Sequence, residues 1–284
     1  MVLRRFFSIK SLGYAFEESK IEKVMRQLKS KDTIPFPWSF TGIEKREPNL
    51  RFIADRMFVV NKISFKTLLT SLWFQYEAFI KCLGEMDISP LKDQLEVRLY
   101  DSINITLGTL KQEDKYLKLI KDPDYTEEKP TINIIDSLVY RGLSIDRTQN
   151  KSIIDYHVYY DENLGIACFT DNALSDPMGY TNQALMEELH AKNRQTLLQL
   201  LVWIKSPYMI RLYQGDKDIS EYRNYTYTQQ CVFESQCLQP QWMKKEEKSE
   251  SYMEWIGKFK PEKFIISDAN DMLGINPLTT KRSN

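Results

Sequence analysis

The two histidines of the chain are the first residues that could do chemistry. His157 lies in IIDYHVYY with Asp155 two positions earlier, so on a strand both side chains share a face. Such a pair could act as acid and base; a hydrogen-bonded or surface strand histidine fits the same residues. His190 has Glu187 three residues before it on a segment that reads as helix. Two potential ligands do not make a metal site, and a solvated helix face explains them. Cys82, Cys168, Cys231 and Cys237 are too few for a disulfide scaffold, and the C-x5-C of the last two matches no common zinc spacing. They read as small buried thiols in a reducing compartment. No glycine-rich phosphate loop, dinucleotide fingerprint or nucleophile elbow is present. Asp122, Asp124, Glu127, Glu128, Glu246 and Glu247 sit in polar loops. No catalytic, cofactor-binding or metal-binding residue is therefore assigned, and the expectation is a protein that is not an enzyme. The alternative is a small-molecule enzyme with a scattered, cofactor-free site.

The elements that would position any site are clearer. From Ser64 to Met86, apolar residues recur at Phe65, Leu68, Leu69, Leu72, Trp73, Tyr76, Phe79, Ile80 and Leu83. Steps of three and four place them on one broad helical stripe, with Ser64 as N-cap and Gly84 in the stop. Pro90 is expected to open a second helix to about Leu110, carrying Leu91, Leu95, Leu99, Ile103 and Leu107 on one face. A further helical turn is expected at Tyr116–Ile120. Beyond Pro130 the texture turns to strands: 131–145, 153–160, 165–170, 195–204, 208–213, 225–238 and 263–268. Gly215–Asp216 reads as a turn, 181–194 as an inserted helix and 242–254 as a charged loop. Helices followed by long strands imply an α+β fold, a long helix pair packed on one face of a strongly curved antiparallel sheet. The other face is left free or used for contact.

Residues 1–62 form a basic extension, and 63–284 the α+β domain with a helical insertion near 171–196. The extension holds 13 Lys and Arg against 7 Asp and Glu, leaving 26 against 32 in the remainder. Its first 16 residues contain Arg4, Arg5 and Lys10 and no acid, the profile of a mitochondrial targeting segment. A short surface helix is expected at 17–29. Ile34–Ser39 (IPFPWS) cannot be helix and reads as an extended aromatic strap. Arg4, Arg5, Phe6, Phe7, Phe36 and Trp38 are the candidates for docking a protein partner. Peripheral contact with anionic lipid is a second role open to the basic arm. Nucleic acid is disfavoured, because the body carries no concentrated basic stripe. No run of apolar residues is long enough to span a membrane.

The order of elements resembles a known family. The segment Leu68–Ile103 (LLTSLWFQYEAFIKCLGEMDISPLKDQLEVRLYDSI) ends its long helix at an acid, Asp87, and Leu91 opens the second helix. With Tyr208–Ile219 (YMIRLYQGDKDI) and the closing FIISDANDML, it is similar to the mitochondrial inner-membrane import-motor anchor and the related mitoribosomal large-subunit protein. The resemblance covers about residues 65–278, with a gap at 171–196. It implies the cone-shaped domain of nuclear-transport-factor relatives and a non-enzymatic anchoring role at the matrix face of the inner membrane. The chain lacks the anchor's long basic membrane-binding region and the basicity of a ribosomal protein. The expectation is thus a non-catalytic accessory or scaffold subunit of a respiratory-chain or ATP-synthase assembly, docked from the matrix side. The alternative is a mitoribosomal or protein-import component.

Overall fold

The computed structural model describes residues 6–7, 50–121, 125, 130–144, 157–161, 164–170, 194–220, 228–240 and 252–269. The elements are β1 (Phe6–Phe7), α1 (Phe52–Val60), α2 (Phe65–Gly84), α3 (Val97–Gln112), β2 (Lys115–Lys121), β3 (Thr131–Ser144), β4 (His157–Asp161) and β5 (Ile166–Thr170). There follow β6 (Arg194–Lys205), β7 (Tyr208–Gln214), β8 (Lys217–Asp218), β9 (Thr228–Leu238), α4 (Tyr252–Ile256) and β10 (Lys260–Ala269). The fold is α+β, as expected, but it holds two sheets. One has the order β1-β4-β5-β3-β6-β9-β10 and the other β2-β7-β8. The first is mixed and not purely antiparallel: β3 and β5 run parallel, with Val139 opposite Ile166 and Arg141 opposite Cys168. The reason is topological. β4 and β5 pair antiparallel, and it is β5, the returning strand, that lies beside β3.

The chain forms two compact units. The first comprises Met1–Ser64, Asp136–Leu200 and Glu234–Lys263. Its helix α1 stands where the sequence reading placed no element, and Ile53, Ala54 and Met57 on it are fully buried. The helix closes on a left-handed Lys62 (φ 53°), with the Ile63 amide donating to the Phe58 carbonyl and the Lys62 amide to Val59. On β3, every residue from Asp136 to Gly142 is buried. Successive strand residues point to opposite faces, so both faces of the strand are covered here, contrary to the expected free face.

The second unit comprises Phe65–Ile135, Leu201–Phe233 and Phe264–Asn284. Helix α2 buries Leu68, Leu72, Tyr76, Phe79, Ile80 and Leu83, the stripe read from its spacing. It ends in a Schellman motif whose left-handed residue is Met86 (φ 58°) and not Gly84: Asp87 N–H donates to the Cys82 carbonyl and Met86 N–H to Leu83. Gly84 instead provides room, since a Cβ there would stand 2.7 Å from Leu119 Cβ.

The single second helix expected from Pro90 is broken. Ser89–Leu91 is one 3-10 turn, and α3 begins only at Val97. Between them Leu95 makes a parallel bridge to Ile266, with Glu96 N–H donating to the Ile266 carbonyl and Ile266 N–H to Gln94. The backbone of 94–96 is thus used to cover an edge of β10. Glu96 then accepts from Leu99 N–H at 3.3 Å, capping α3. Leu91, Leu95, Leu99, Ile103 and Leu107 are all buried, so the stripe was core-directed without being one helix. The expected helical turn at Tyr116–Ile120 is strand β2. Its alternation around buried Leu117 suits a half-buried strand.

Candidate functional site

Polar side chains buried in the first unit bind one another. Arg51 grips Asp136 through Nε at 2.7 Å and Nη2 at 3.0 Å, and its amide donates to Ser137 Oγ at 2.8 Å. The left-handed Gly165 (φ 66°) lies so close to Arg51 that a Cβ would overlap it. Arg141 donates to Thr196 Oγ1 at 2.7 Å and lies over the rings of Trp255 (5.1 Å) and Phe259 (5.3 Å). Gln199 donates to Glu234 at 2.8 Å. These contacts tie β3, β6, β9, α4 and the segment before α1 together, so each carries a structural task.

The solvent-facing chemistry of the second unit is concentrated on the small sheet. Helices α2 and α3 pack against β2, and α2 also against β7. β2 and β7 are paired from Lys115 opposite Gln214 to Lys121 opposite Tyr208. Directly opposed residues share a face. Leu117, Leu119, Leu212 and Ile210 therefore line one face, and Tyr116, Lys118, Tyr213, Arg211, Ile120 and Met209 the other. The phenol of Tyr116 donates to the Gly215 carbonyl at 3.0 Å, and its ring stacks on Tyr213 with centroids 5.6 Å apart. Lys118 Nζ stands 5.7 Å from the Tyr213 centroid. Arg211, across the ladder from Lys118, has Met209 Sδ at 3.3 Å and Asp218 at 3.9 Å. A two-residue connection at Gly215–Asp216 joins β7 to β8, with φ 54° at the glycine.

The sheet's two edges differ. On β2, Leu117 N–H is taken by Met86 Sδ at 3.1 Å and Leu119 lies against Gly84. On β7, Leu212 is the last residue covered: its carbonyl accepts from Ile219 N–H and its amide donates to Ser220 Oγ at 2.8 Å. Tyr208 N–H is held by Ser206 Oγ at 3.1 Å. Between them Ile210, two residues from Leu212, turns its N–H and C=O the same way with no partner among the described residues.

Of the docking residues read from sequence, Arg4, Arg5, Phe36 and Trp38 lie outside the described residues, as do the helices expected at 17–29 and 181–194. Phe6 and Phe7 form β1, paired with Tyr159 and Val158 of β4. His157 pairs with Thr170 in the β4–β5 ladder, whereas Asp155 and His190 lie outside the described residues. Cys82, Cys231 and Cys237 are free and buried, as expected of structural thiols. Burial pushes all three thiols up, furthest at Cys231 and Cys237, away from the thiolate form that reacts. Burial also raises the Tyr76 phenol, with Cys231 of β9 adding to it. Asp87 is held below the usual carboxylate range because Ser89 donates to it from both hydroxyl (2.6 Å) and amide (2.9 Å). Among the described residues no cluster of three or more His, Cys, Asp or Glu could hold a metal ion. Nor is any helix among them long and apolar enough to cross a membrane.

The β2–β7–β8 face was not singled out from sequence. Its signal was available in KYLKLIK and YMIRLYQ, which place tyrosines and cations at alternate positions, but only the ladder shows that they meet. No family model and no curated protein matches the chain.

Proposed function

We propose that the protein is a non-catalytic accessory or scaffold subunit of a large mitochondrial inner-membrane-associated assembly, of the respiratory chain or the ATP synthase, docked from the matrix side. The observation that carries the docking reading is the small sheet of the second unit. It presents stacked tyrosines, two adjacent cations and an uncovered stretch of backbone, the means of binding another chain. The polar groups buried in the first unit are bound to one another, and this supports a body built to be rigid. Large apolar side chains stand out from the helices: Phe74 on α2 (61% exposed), and Val97 (68%) and Ile105 (70%) on α3. They add apolar surface of the kind interfaces use.

The mitochondrial part of the reading is supported by Arg4, Arg5 and Lys10 in an acid-free leader, and by the family resemblance of 65–278. A strongly curved, cone-like sheet beneath the helix pair, peripheral contact of the basic arm with anionic lipid, and protein subunits as partners belong to the same proposal. Two measurements test it. A reporter fused to residues 1–30 should enter mitochondria; a cytosolic reporter removes the compartment. Native purification from detergent-solubilised mitochondria should bring inner-membrane complex subunits with the protein. Recovery with ribosomes or import machinery would move the assignment to that alternative reading. A turnover lost on His157→Ala, with assembly intact, would favour the enzyme.

A further inference from the structure

We propose that the uncovered edge of β7, at Tyr208–Arg211, is the docking strip, and that its occupant is an extended acidic segment of a protein partner, added to the sheet as a further strand. This deepens the docking reading above and rests on it. β7 has two edges, one fully paired with β2. The other is paired with β8 only at Tyr213 and Gln214, and the ladder is then closed off at Leu212 by Ile219 and Ser220. Beyond that point Ile210 offers one donor and one acceptor outward, and the strand around it is half-exposed. An open, largely apolar edge of this kind is a template for another strand. The opposite edge of the sheet is blocked by Met86 and the close approach of Gly84, so strand addition has one side to use.

Charge selects the kind of strand. Lys118 and Arg211 are directly opposed across the β2–β7 ladder on the solvent-facing side. Like charges so placed repel, and the cost is relieved when an anion bridges them. Asp218 stands 3.9 Å from Arg211, on the β8 side, while Lys118 leans over Tyr213. A strand added beside Ile210 brings alternate side chains over this face, where a carboxylate would reach both cations. Stacked tyrosines and cations also suit single-stranded nucleic acid. A polynucleotide, however, supplies no ladder partner for the Ile210 N–H and C=O. Four acids, Glu113, Asp114, Asp216 and Asp218, also border the sheet. The observations therefore favour a polypeptide.

The test pans a displayed library of random linear peptides against the full-length chain. Enriched sequences are then measured as synthetic peptides by fluorescence anisotropy. The expected consensus alternates acidic and apolar residues. Affinity should fall about tenfold or more with Ile210→Pro, which deletes the outward N–H at a position where an edge strand tolerates proline. It should fall by a similar factor with Lys118→Glu, an exposed substitution expected to leave Tm unchanged. If Ile210→Pro does not fold, Lys118→Glu decides. Peptides without acidic bias, or affinities unchanged in the folded variants, overturn the proposal. So does labelled oligouridylate that binds more tightly than any peptide and is indifferent to both substitutions. The docking reading is judged separately. If both variants remain in the native assembly of the wild type, docking stands and this edge is not its means. If wild type has no assembly, the docking reading itself fails.

Discussion

At the scale of single residues, burial decides what each reactive group can do. The thiols of Cys231 and Cys237 are removed from water, so in the folded protein they stay protonated where an unfolded thiol would ionise, at about pH 8.5. A group that keeps its proton in the folded state and loses it in the unfolded state favours unfolding as pH rises. The urea midpoint should therefore decline from about pH 8 to about pH 10, and replacing both thiols with alanine should flatten that decline. A thiol reagent should modify Cys82, Cys231 and Cys237 on the time scale of unfolding, read by quenched mass spectrometry. Rapid labelling of the native protein at these three would contradict their placement. Arg51 gives a second residue-scale prediction. Its fork holds Asp136, which is only 11% exposed. Arg51→Ala leaves that carboxylate with the Ser137 amide but without its cation. A loss of about 2–4 kcal/mol is expected in urea unfolding. A loss below about 0.5 kcal/mol would class the pair with ordinary surface ion pairs.

Elements were legible in proportion to how local their causes are. The α2 stripe follows from spacing alone, and the helix appeared within a residue or two of its expected ends. The break after Leu91 was not legible. Leu95 keeps the helical spacing, yet its backbone bridges Ile266, a partner far along the chain that no local pattern announces. α1 escaped notice because FIADRMFVV is short and follows a proline-containing linker, although Ile53, Met57 and their neighbours carry its buried face. KYLKLIK satisfies strand alternation and a helical turn equally well over so few residues. The parallel β3–β5 pair was hidden for a similar reason, since register is a property of two segments. Gly84 and Gly108 offer a paired test at this scale. Gly84→Ala places a methyl against Leu119 Cβ and backbone, outweighing the gain in helix propensity, and should cost about 1–2 kcal/mol. Gly108→Ala on α3 meets nothing within 4 Å and should stabilise by about 1 kcal/mol. Equal effects of like sign would contradict the close approach of α2 to β2.

At the scale of the whole molecule, the sequence conveyed the α+β class and the absence of a familiar catalytic motif. It did not convey the two units or the second sheet, because both arise from pairings of distant segments. The docking residues proposed from composition lie almost wholly in the N-terminal extension. The surface most suited to a partner lies instead on β2 and β7, far along the chain. The two are compatible, with a leader that sets the compartment and a sheet that meets the neighbour. A protein that works as a docked subunit should not be found alone. Its sedimentation in a detergent extract of mitochondria, after ribosome depletion, decides the matter. Migration with an assembly many times larger than the 33.6 kDa chain is the predicted result. Migration as a free 33.6 kDa protein would contradict docking.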